Sequence, residues 1–290
     1  MYRCSVCKSL FLNTPPSNVQ LENYYKKKFS YTDGLLNELP IRKRSEIILN
    51  TLRTMTPTAT SICDVGSGYG YFLDEASKRG YRAEGVEPSK RLALHAKNMY
   101  SLPVYNGGLK EYIHKKHPQF DIVTCIHVIE HVMNPKSFIS LLVRLVKPGG
   151  MLYLETPNSD SHLLYAEQSD YTFLIPPDHL WLLSKESIKI ILPVNTRIHS
   201  INTYSYPEHV MGIFKKLIKI VNKSNRRIYV PTHIKTNNIR AKKTISLRKK
   251  LSYYFFDKGI APLFTGMLNL YHKGSILELY IKKKEGKSGL

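Results

Sequence analysis

Apolar positions along the chain alternate between two periods, and the alternation predicts the architecture. Over Ile41–Thr54 the residues Ile47, Ile48, Leu52 and Met55 recur at helical spacing, and Pro57 cannot continue that helix. Ser61-Ile62-Cys63-Asp64-Val65 then reads as a short buried strand. It runs directly into Gly66-Ser67-Gly68-Tyr69-Gly70 and a helical Tyr71–Ala76. Further strands are predicted at Ala83–Val86, Val104–Tyr105, Asp121–Val128 and Met151–Glu155, with helices after Ser89 and over Pro135–Val146. Strands separated by helices make an α/β fold with a doubly wound, mostly parallel sheet. Such sheets bind ligands at the carboxyl ends of their strands, where the glycine and polar clusters of this chain fall.

The glycine loop is the first of those clusters. Asp64-x-Gly66-x-Gly68-x-Gly70 after a strand lets backbone approach a nucleotide-like ligand at the following helix N-terminus. Its third glycine comes one residue earlier than in the dinucleotide fingerprint, which argues against a pyrophosphate ligand. The second strand ends in Gly85-Val86-Glu87-Pro88-Ser89, with Glu87 17 residues beyond Gly70 and able to accept both hydroxyls of a ribose. Loop and carboxylate together are far more specific than either alone.

With those residues in hand the chain resembles a known family. Cys63–Gly70 looks like motif I of class I S-adenosylmethionine-dependent methyltransferases, and Gly85–Ser89 like their ribose-binding acidic motif. Phe120–Val123, Val128-Ile129-Glu130-His131-Val132-x-Asn134-Pro135, and Leu145–Gly150 with Thr156-Pro157-Asn158 follow in the same order, the resemblance running from about residue 58 to 192. The set is similar to the branch that includes ubiquinone-biosynthesis O-methyltransferases and methyltransferases of natural-product and surface-glycan pathways. The resemblance implies a seven-stranded Rossmann-like sheet and S-adenosyl-L-methionine as cofactor. It places Asp64 and the backbone of Gly66, Ser67, Gly68, Tyr69 and Gly70 at the methionine moiety, Glu87 at the ribose, and Gly108 and Leu109 at the adenine. Where relatives commonly carry an Asp near the adenine, this chain has Asn106-Gly107-Gly108. Ile126 and His127 would lie beside the methionine end and the sulfonium.

Methyl transfer from a sulfonium is an in-line displacement that asks for proximity, orientation and a group to take the acceptor's proton. Of 11 histidines, two stand out by position. His131 follows the fourth strand beside Glu130, a carboxylate able to raise its pKa and fix its tautomer; the alternative is a cap for the next helix. His179, between Ile175-Pro176-Pro177-Asp178 and Leu180-Trp181-Leu182-Leu183-Ser184, resembles the family's Pro-x-x-His-Leu segment, with a Ser-x-x-Ser helix start after it. Glu130, His131 and Asp160 offer oxygen and nitrogen ligands for a divalent ion, but no spacing compels a metal. Between Asn158 and Asp178, Tyr165, Tyr171 and Phe173 either select a flat or apolar substrate or simply pack a lid onto the body.

Composition narrows the partners. The chain has 290 residues, 42% apolar and 22% charged, which is ordinary for a globular protein. No apolar run approaches the ~20 residues of a membrane-spanning helix, and Met1-Tyr2-Arg3-Cys4 does not start a signal peptide, so a soluble cytoplasmic protein is expected. Four cysteines do not make a disulfide framework. Cys4-x-x-Cys7 resembles the second half of a zinc ribbon; with no second pair in the chain, no stoichiometric zinc is expected.

The net charge of +21 suggests nucleic acid, an anionic membrane or an acidic substrate. Residues 1–208 hold 24 basic and 19 acidic side chains, whereas residues 209–290 hold 19 and 3. Most of the excess therefore lies behind the cofactor-binding body. There Val210, Ile213, Phe214, Leu217, Ile220 and Val221 face one side of a predicted helix and Lys215, Lys216, Lys219 and Lys223 the other. Such a helix either packs on the sheet or lies on an anionic surface. Ile276–Ile281 resembles the family's closing strand, with Arg197–Tyr206 as the sixth. The expected organisation is an N-terminal segment with a half zinc ribbon (1–38), the methyltransferase domain (39–208), a basic helical insertion (209–275) and a closing strand (276–284). The leading expectation is methyl transfer to a hydroxyl of a small molecule or glycan precursor. Alternatives are an RNA methyltransferase that uses the basic region and a non-catalytic module at a membrane surface.

Overall fold

The computed structural model describes residues 1–17, 19–21, 23–24, 38–116, 118–205 and 273–285. Its centre is a seven-stranded sheet with the spatial order β5-β4-β3-β6-β7-β10-β9. The strands are β3 (Ser61–Val65), β4 (Arg82–Glu87), β5 (Val104–Asn106), β6 (Phe120–Ile126), β7 (Val146–Pro157), β9 (Thr196–Tyr204) and β10 (Ile276–Lys283). Neighbours from β5 to β7 run parallel, and β10 runs antiparallel to both β7 and β9. The order reverses at β3, so the switch point, where α/β sheets bind ligands, falls between β3 and β6.

Helices cover both faces because their apolar stripes match the sheet's. On one side α1 (Glu38–Met55), α2 (Tyr71–Lys78) and α3 (Lys90–Tyr100) bury Ile48, Leu49, Leu52, Phe72, Leu73 and Ala96 against Ile62, Ile122, Tyr153 and Tyr280. On the other, α4 (Leu109–Lys116), α5 (Pro135–Leu145) and α6 (Lys185–Ile191) bury Tyr112, Ile139, Leu142 and Ile188 against Cys63, Val123, Leu154 and Leu279. α5 starts with Asn134 accepting the Ser137 N–H at 3.0 Å and Pro135 at the first turn, where its missing donor costs nothing. The Ser-x-x-Ser signal ahead of α6 is a capping box built by Ser184 and Ser187.

Two boundaries differ from the sequence reading. β6 ends at Ile126 rather than Val128, because His127 turns into the left-handed region at φ 53°. β7 begins at Val146 rather than Met151, so Lys147-Pro148-Gly149-Gly150 forms an irregular strand start, with Gly149 at φ 75°. Asp121, near the start of β6, is a junction between strands. Its carboxylate accepts the Ser61 N–H (2.9 Å) and Ser61 hydroxyl (2.7 Å) and pairs with Lys147 (2.7 Å), tying three strands together.

A second, three-stranded sheet was not expected. β1 (Tyr2–Arg3) and β2 (Leu10–Phe11) form a hairpin that adds to β8 (Trp181–Leu182). Cys4 and Cys7 lie in its turn as free, half-buried thiols. The amphipathic basic helix and nearly all of the proposed insertion over 209–275 lie outside the described residues. No helix among the described residues is long and apolar enough to cross a membrane.

Candidate cofactor and acceptor site

The glycine loop is shaped by two strands. Gly66 and Ser67 N–H groups both donate to the Val86 carbonyl (2.8 and 3.3 Å), so the loop leaves β3 bent toward the end of β4. Gly66, Gly68 and Gly70 sit at φ +81°, +54° and +85°. A Cβ on Gly66 would stand 2.3 Å from Val128 Cγ2 and one on Gly70 2.6 Å from the Ala96 Cβ, so two of the three glycines are demanded by packing as well as by φ. A Cβ on Gly68 would meet nothing within 4 Å: this is the open side of the loop, where a ligand can lie against backbone.

Glu87, buried at the end of β4, spans the same opening. One carboxylate oxygen accepts the Gly68 N–H (2.9 Å) and the other the Ser89 N–H (2.8 Å). Burial raises its pKa and those two backbone donors pull it back. Asp64, one residue before the turn, is wholly inside. Burial lifts its pKa to about 7, against the Thr124 hydroxyl that donates to it at 2.7 Å. Asp64 thus holds up the loop from beneath. Tyr69 stacks on Tyr71 (5.7 Å between centroids) and accepts from Arg91 (2.7 Å), covering the loop's outer flank. The Ser67 hydroxyl is buried against Gly85 without a hydrogen-bond partner.

At the far end of the cleft Asn106 donates to the carbonyls of Glu87 (3.0 Å) and Pro88 (3.1 Å). It therefore pins the β4 terminus. Gly108 has open space beside it, whereas the Leu109 side chain is buried in the core below, so only its backbone can face an adenine. Glycine cradle, open backbone and terminal carboxylate are together a fit for a nucleoside with a charged tail.

Ile126 packs on the α1–α3 face, and His127 stands at the tip of β6 with its side chain 36% exposed. Its two ring nitrogens approach two buried carboxylates, Glu130 (3.2 Å) and Glu155 (3.3 Å). Burial opposes charge on this ring, but the two carboxylates outweigh it and lift its pKa to about 10. This changes the role expected of Glu130. It pairs with His127, and the His131 tautomer is set instead by the Asp178 carbonyl, 2.7 Å from Nδ1.

His131 and His179, 48 positions apart in sequence, meet edge to face at 4.9 Å. His179 Nδ1 lies 2.7 Å from the Phe173 carbonyl. In both rings Nδ1 therefore carries the proton, which leaves Nε2 as the basic nitrogen. Burial is the main influence on His179 and lowers its pKa. Phe173 lies parallel to both His127 and His179 at 6.2 Å, so the 158–180 segment contributes an aromatic wall between cofactor end and histidine pair. Glu130, His131 and His179 each offer a ligand atom, all within 4.8 Å of one another, and are the one group of this kind among the described residues. Asp160, grouped with the first two from sequence, is not part of it; His179 takes its place. Nδ1–H groups held by carbonyls are the support that metal-binding imidazoles use.

Sequence reasoning missed how the N-terminal hairpin braces this wall. Leu12 N–H donates to the Leu180 carbonyl (2.9 Å), Ser184 N–H to the Ser9 hydroxyl (3.1 Å), and the Ser184 hydroxyl to the Cys7 carbonyl. The available signal was the short apolar run Leu10-Phe11-Leu12 after Cys4-x-x-Cys7.

The sheet order, the glycine loop and the carboxylate at the end of β4 together define a Rossmann-like methyltransferase site. Residues 33–192 match the family model described as a methyltransferase domain, and the chain belongs to that family. Among curated proteins it is 26% identical over 176 residues to a ubiquinone biosynthesis O-methyltransferase of Ralstonia nicotianae, covering 58% of this chain and 73% of that one. It is 33% identical over 129 residues to the protein of the same name from Alkalilimnicola ehrlichii, covering 41% and 52%. The chain thus spans between about half and three quarters of these relatives. In fold it resembles a SAM-dependent methyltransferase from Archaeoglobus fulgidus (TM-score 0.54, 17% identity, 90% of this chain and 99% of that one). It also resembles the plantazolicin methyltransferase BpumL, solved in complex with SAH (0.51, 14%, 93% and 91%). S-adenosylmethionine is the cofactor that this family, this loop and this carboxylate serve together.

Proposed function

We propose that the protein transfers the methyl group of S-adenosylmethionine to a hydroxyl of a small molecule or glycan precursor. The bound cofactor supplies an electrophilic methyl on a sulfonium. The protein's own residues supply the rest. Glu87 takes the ribose hydroxyls in exchange for its present hydrogen bonds to Gly68 and Ser89, and the loop backbone holds the amino-acid end. The His131–His179 pair receives the acceptor's proton at Nε2. The single observation that carries this part is that two histidines distant in sequence converge with both Nδ1 atoms anchored to carbonyls, which points both basic nitrogens the same way chemically. Hydroxyl as the acceptor draws support from the O-methyltransferase relatives.

Calorimetry with S-adenosylhomocysteine tests the cofactor half: the protein binds it, and Glu87→Ala weakens that binding at least tenfold. Unchanged affinity in Glu87→Ala refutes the assigned role. Transfer of a labelled methyl group to phenolic, sugar and RNA acceptors tests the other half, and label appearing in RNA alone rejects the small-molecule reading.

A further inference from the structure

Cys4 and Cys7 share the turn between β1 and β2, and neither has a part in the site described above. Both are free and half-buried, and Ser5, Val6 and Lys8 around them are exposed. The turn is closed at both ends: Lys8 N–H donates to the Cys4 carbonyl (3.1 Å) and Cys4 N–H to the Ser9 carbonyl (2.9 Å). Lys8 reverses the chain from the left-handed region, at φ 63°, and its ammonium donates to the Ser5 carbonyl (2.6 Å). Inside the turn the Cys4 sulfur accepts the backbone N–H of Cys7, that of Val6, and the Cys7 thiol. Those donors hold Cys4 below the ordinary thiol pKa. Cys63 and Cys125, by contrast, lie wholly inside the sheet on β3 and β6.

Two sulfurs in hydrogen-bond contact within one tight turn are placed to bond. A disulfide requires Cα atoms roughly 4.4–6.8 Å apart, and residues three apart in a tight turn stand within about 7 Å. The chemistry is thiol–disulfide exchange with an external disulfide. Cys4, as the thiolate, attacks one sulfur of glutathione disulfide, forming a mixed disulfide and expelling one glutathione thiolate. Cys7, deprotonated in turn, attacks the Cys4 sulfur, closing the Cys4–Cys7 bond and expelling the second. The protein gives up two electrons, glutathione disulfide takes them, and the two thiol protons end on the two glutathione molecules.

The bridge acts on what the hairpin holds. The Cys7 carbonyl accepts the Ser184 hydroxyl, and the Ser9 hydroxyl accepts the Ser184 N–H (3.1 Å). Leu12 N–H reaches the Leu180 carbonyl (2.9 Å) and Leu180 N–H the Glu130 carbonyl (2.9 Å), so hairpin, β8 and the turn bearing His131 form one run of hydrogen bonds. A cross-link within the turn removes conformations open to the detached hairpin and few from the docked one, so the docked state gains. We propose that Cys4 and Cys7 are a redox-active dithiol that exchanges with low-molecular-weight disulfides of the glutathione type and, once bridged, holds the hairpin more firmly on β8. Through β8 the state of the pair reaches the wall assigned to the acceptor. That last link rests on the function proposed above; the thiol chemistry does not.

The test incubates the full chain with glutathione disulfide in chelator and reads peptide mapping by mass spectrometry and amide hydrogen exchange before and after. One internal bridge joining Cys4 to Cys7 is expected, with Cys63 and Cys125 unmodified, whereas Cys7→Ser stops at a mixed disulfide of glutathione on Cys4. Exchange at the Leu12, Leu180 and Ser184 amides slows about threefold or more on bridging, an effect that dithiothreitol reverses and that the double variant Cys4→Ser, Cys7→Ser lacks. The proposal is overturned if the pair stays reduced in a large excess of oxidant, or if those amides exchange as fast or faster after bridging. It is equally overturned if protein prepared without chelator holds zinc that the double variant loses, which would make the pair a metal site. These readouts are covalent and local, so a protein that methylates no hydroxyl still passes or fails them on its own account.

Discussion

Arg44→Met isolates what the buried charges contribute to the fold. The guanidinium makes four hydrogen bonds, to Glu155 through Nε (3.1 Å) and Nη2 (2.8 Å), to Tyr153 (3.0 Å) and to Glu278 (2.7 Å), and it lies 4.0 Å over the Tyr204 ring. Methionine fills much of the volume but leaves two cross-strand carboxylates facing each other without their common cation. Breaking a buried ion pair by removing one partner costs roughly 3–5 kcal/mol. For a domain of this size that lowers the melting temperature by roughly 6–20 °C. The pH dependence has a definite sign. Burial would raise the Glu155 pKa, but His127 and Arg44 hold it down to about 2. A carboxylate depressed in the folded state stabilises fully above its unfolded pKa, ~4.5, and loses that contribution as pH falls toward 2. The gap between wild type and Arg44→Met is therefore widest near pH 7 and narrows below pH 4.5, by differential scanning fluorimetry across that range. Adding Glu278→Gln to Arg44→Met removes the repulsion and restores part of the loss, the coupling expected of groups in contact. A melting temperature within 2 °C of wild type at pH 7, or no recovery in the double variant, refutes the reasoning.

Gly66→Ala forces a side chain into the left-handed region and onto Val128; calorimetry is expected to show at least tenfold weaker S-adenosylhomocysteine binding while circular dichroism keeps its helical signal. His131→Ala and His179→Ala each lower kcat by about 10²–10⁴-fold if that ring takes the proton, with cofactor affinity within twofold of wild type. Because burial lowers the His179 pKa, the acid limb of a kcat/KM profile governed by His179 lies below 6.5, and a limb above that value rejects it as the base.

Much of the fold was legible because its signals are local. A five-residue strand, a glycine turn and a helix start within 16 residues are dictated by neighbours in sequence, and Glu87 follows from the same periodicity one unit later. Those signals stop where contacts become long-range. Residues 1–12 carry no strong period of their own, and β2 is a strand because β8, 171 positions later, supplies the hydrogen bonds. The end of β6 was placed two residues late because Ile126-His127-Val128-Ile129 continues the apolar run, whereas the backbone leaves the strand at His127, which sits at φ 53° with its ring between Glu130 and Glu155. The exchange of Asp160 for His179 beside Glu130 and His131 has the same origin, since the path of the 158–180 segment is set by packing on β2 and β8.

The two halves of the site are thus built in different ways, with a consequence for specificity. The cofactor side is one contiguous strand-loop-helix-strand unit whose shape depends on glycine φ angles and a single carboxylate. The side proposed for the acceptor is assembled from the 3₁₀ turn at Ile129–His131, the 158–180 segment and a hairpin at the start of the chain, joined by backbone and serine hydrogen bonds. Few apolar contacts hold that assembly: its own cluster contains Leu10, Leu163, Leu164, Tyr171 and Leu182, against more than 15 residues in each of the two main clusters. Local stability follows apolar burial, so the acceptor wall opens at lower free energy than the cofactor cradle. A cradle fixed by the loop and a wall held mainly by polar contacts allow the acceptor to be exchanged without disturbing the cofactor, and allow substitutions at Phe173 or Leu12 to change acceptor choice while leaving the Gly66–Gly70 loop intact.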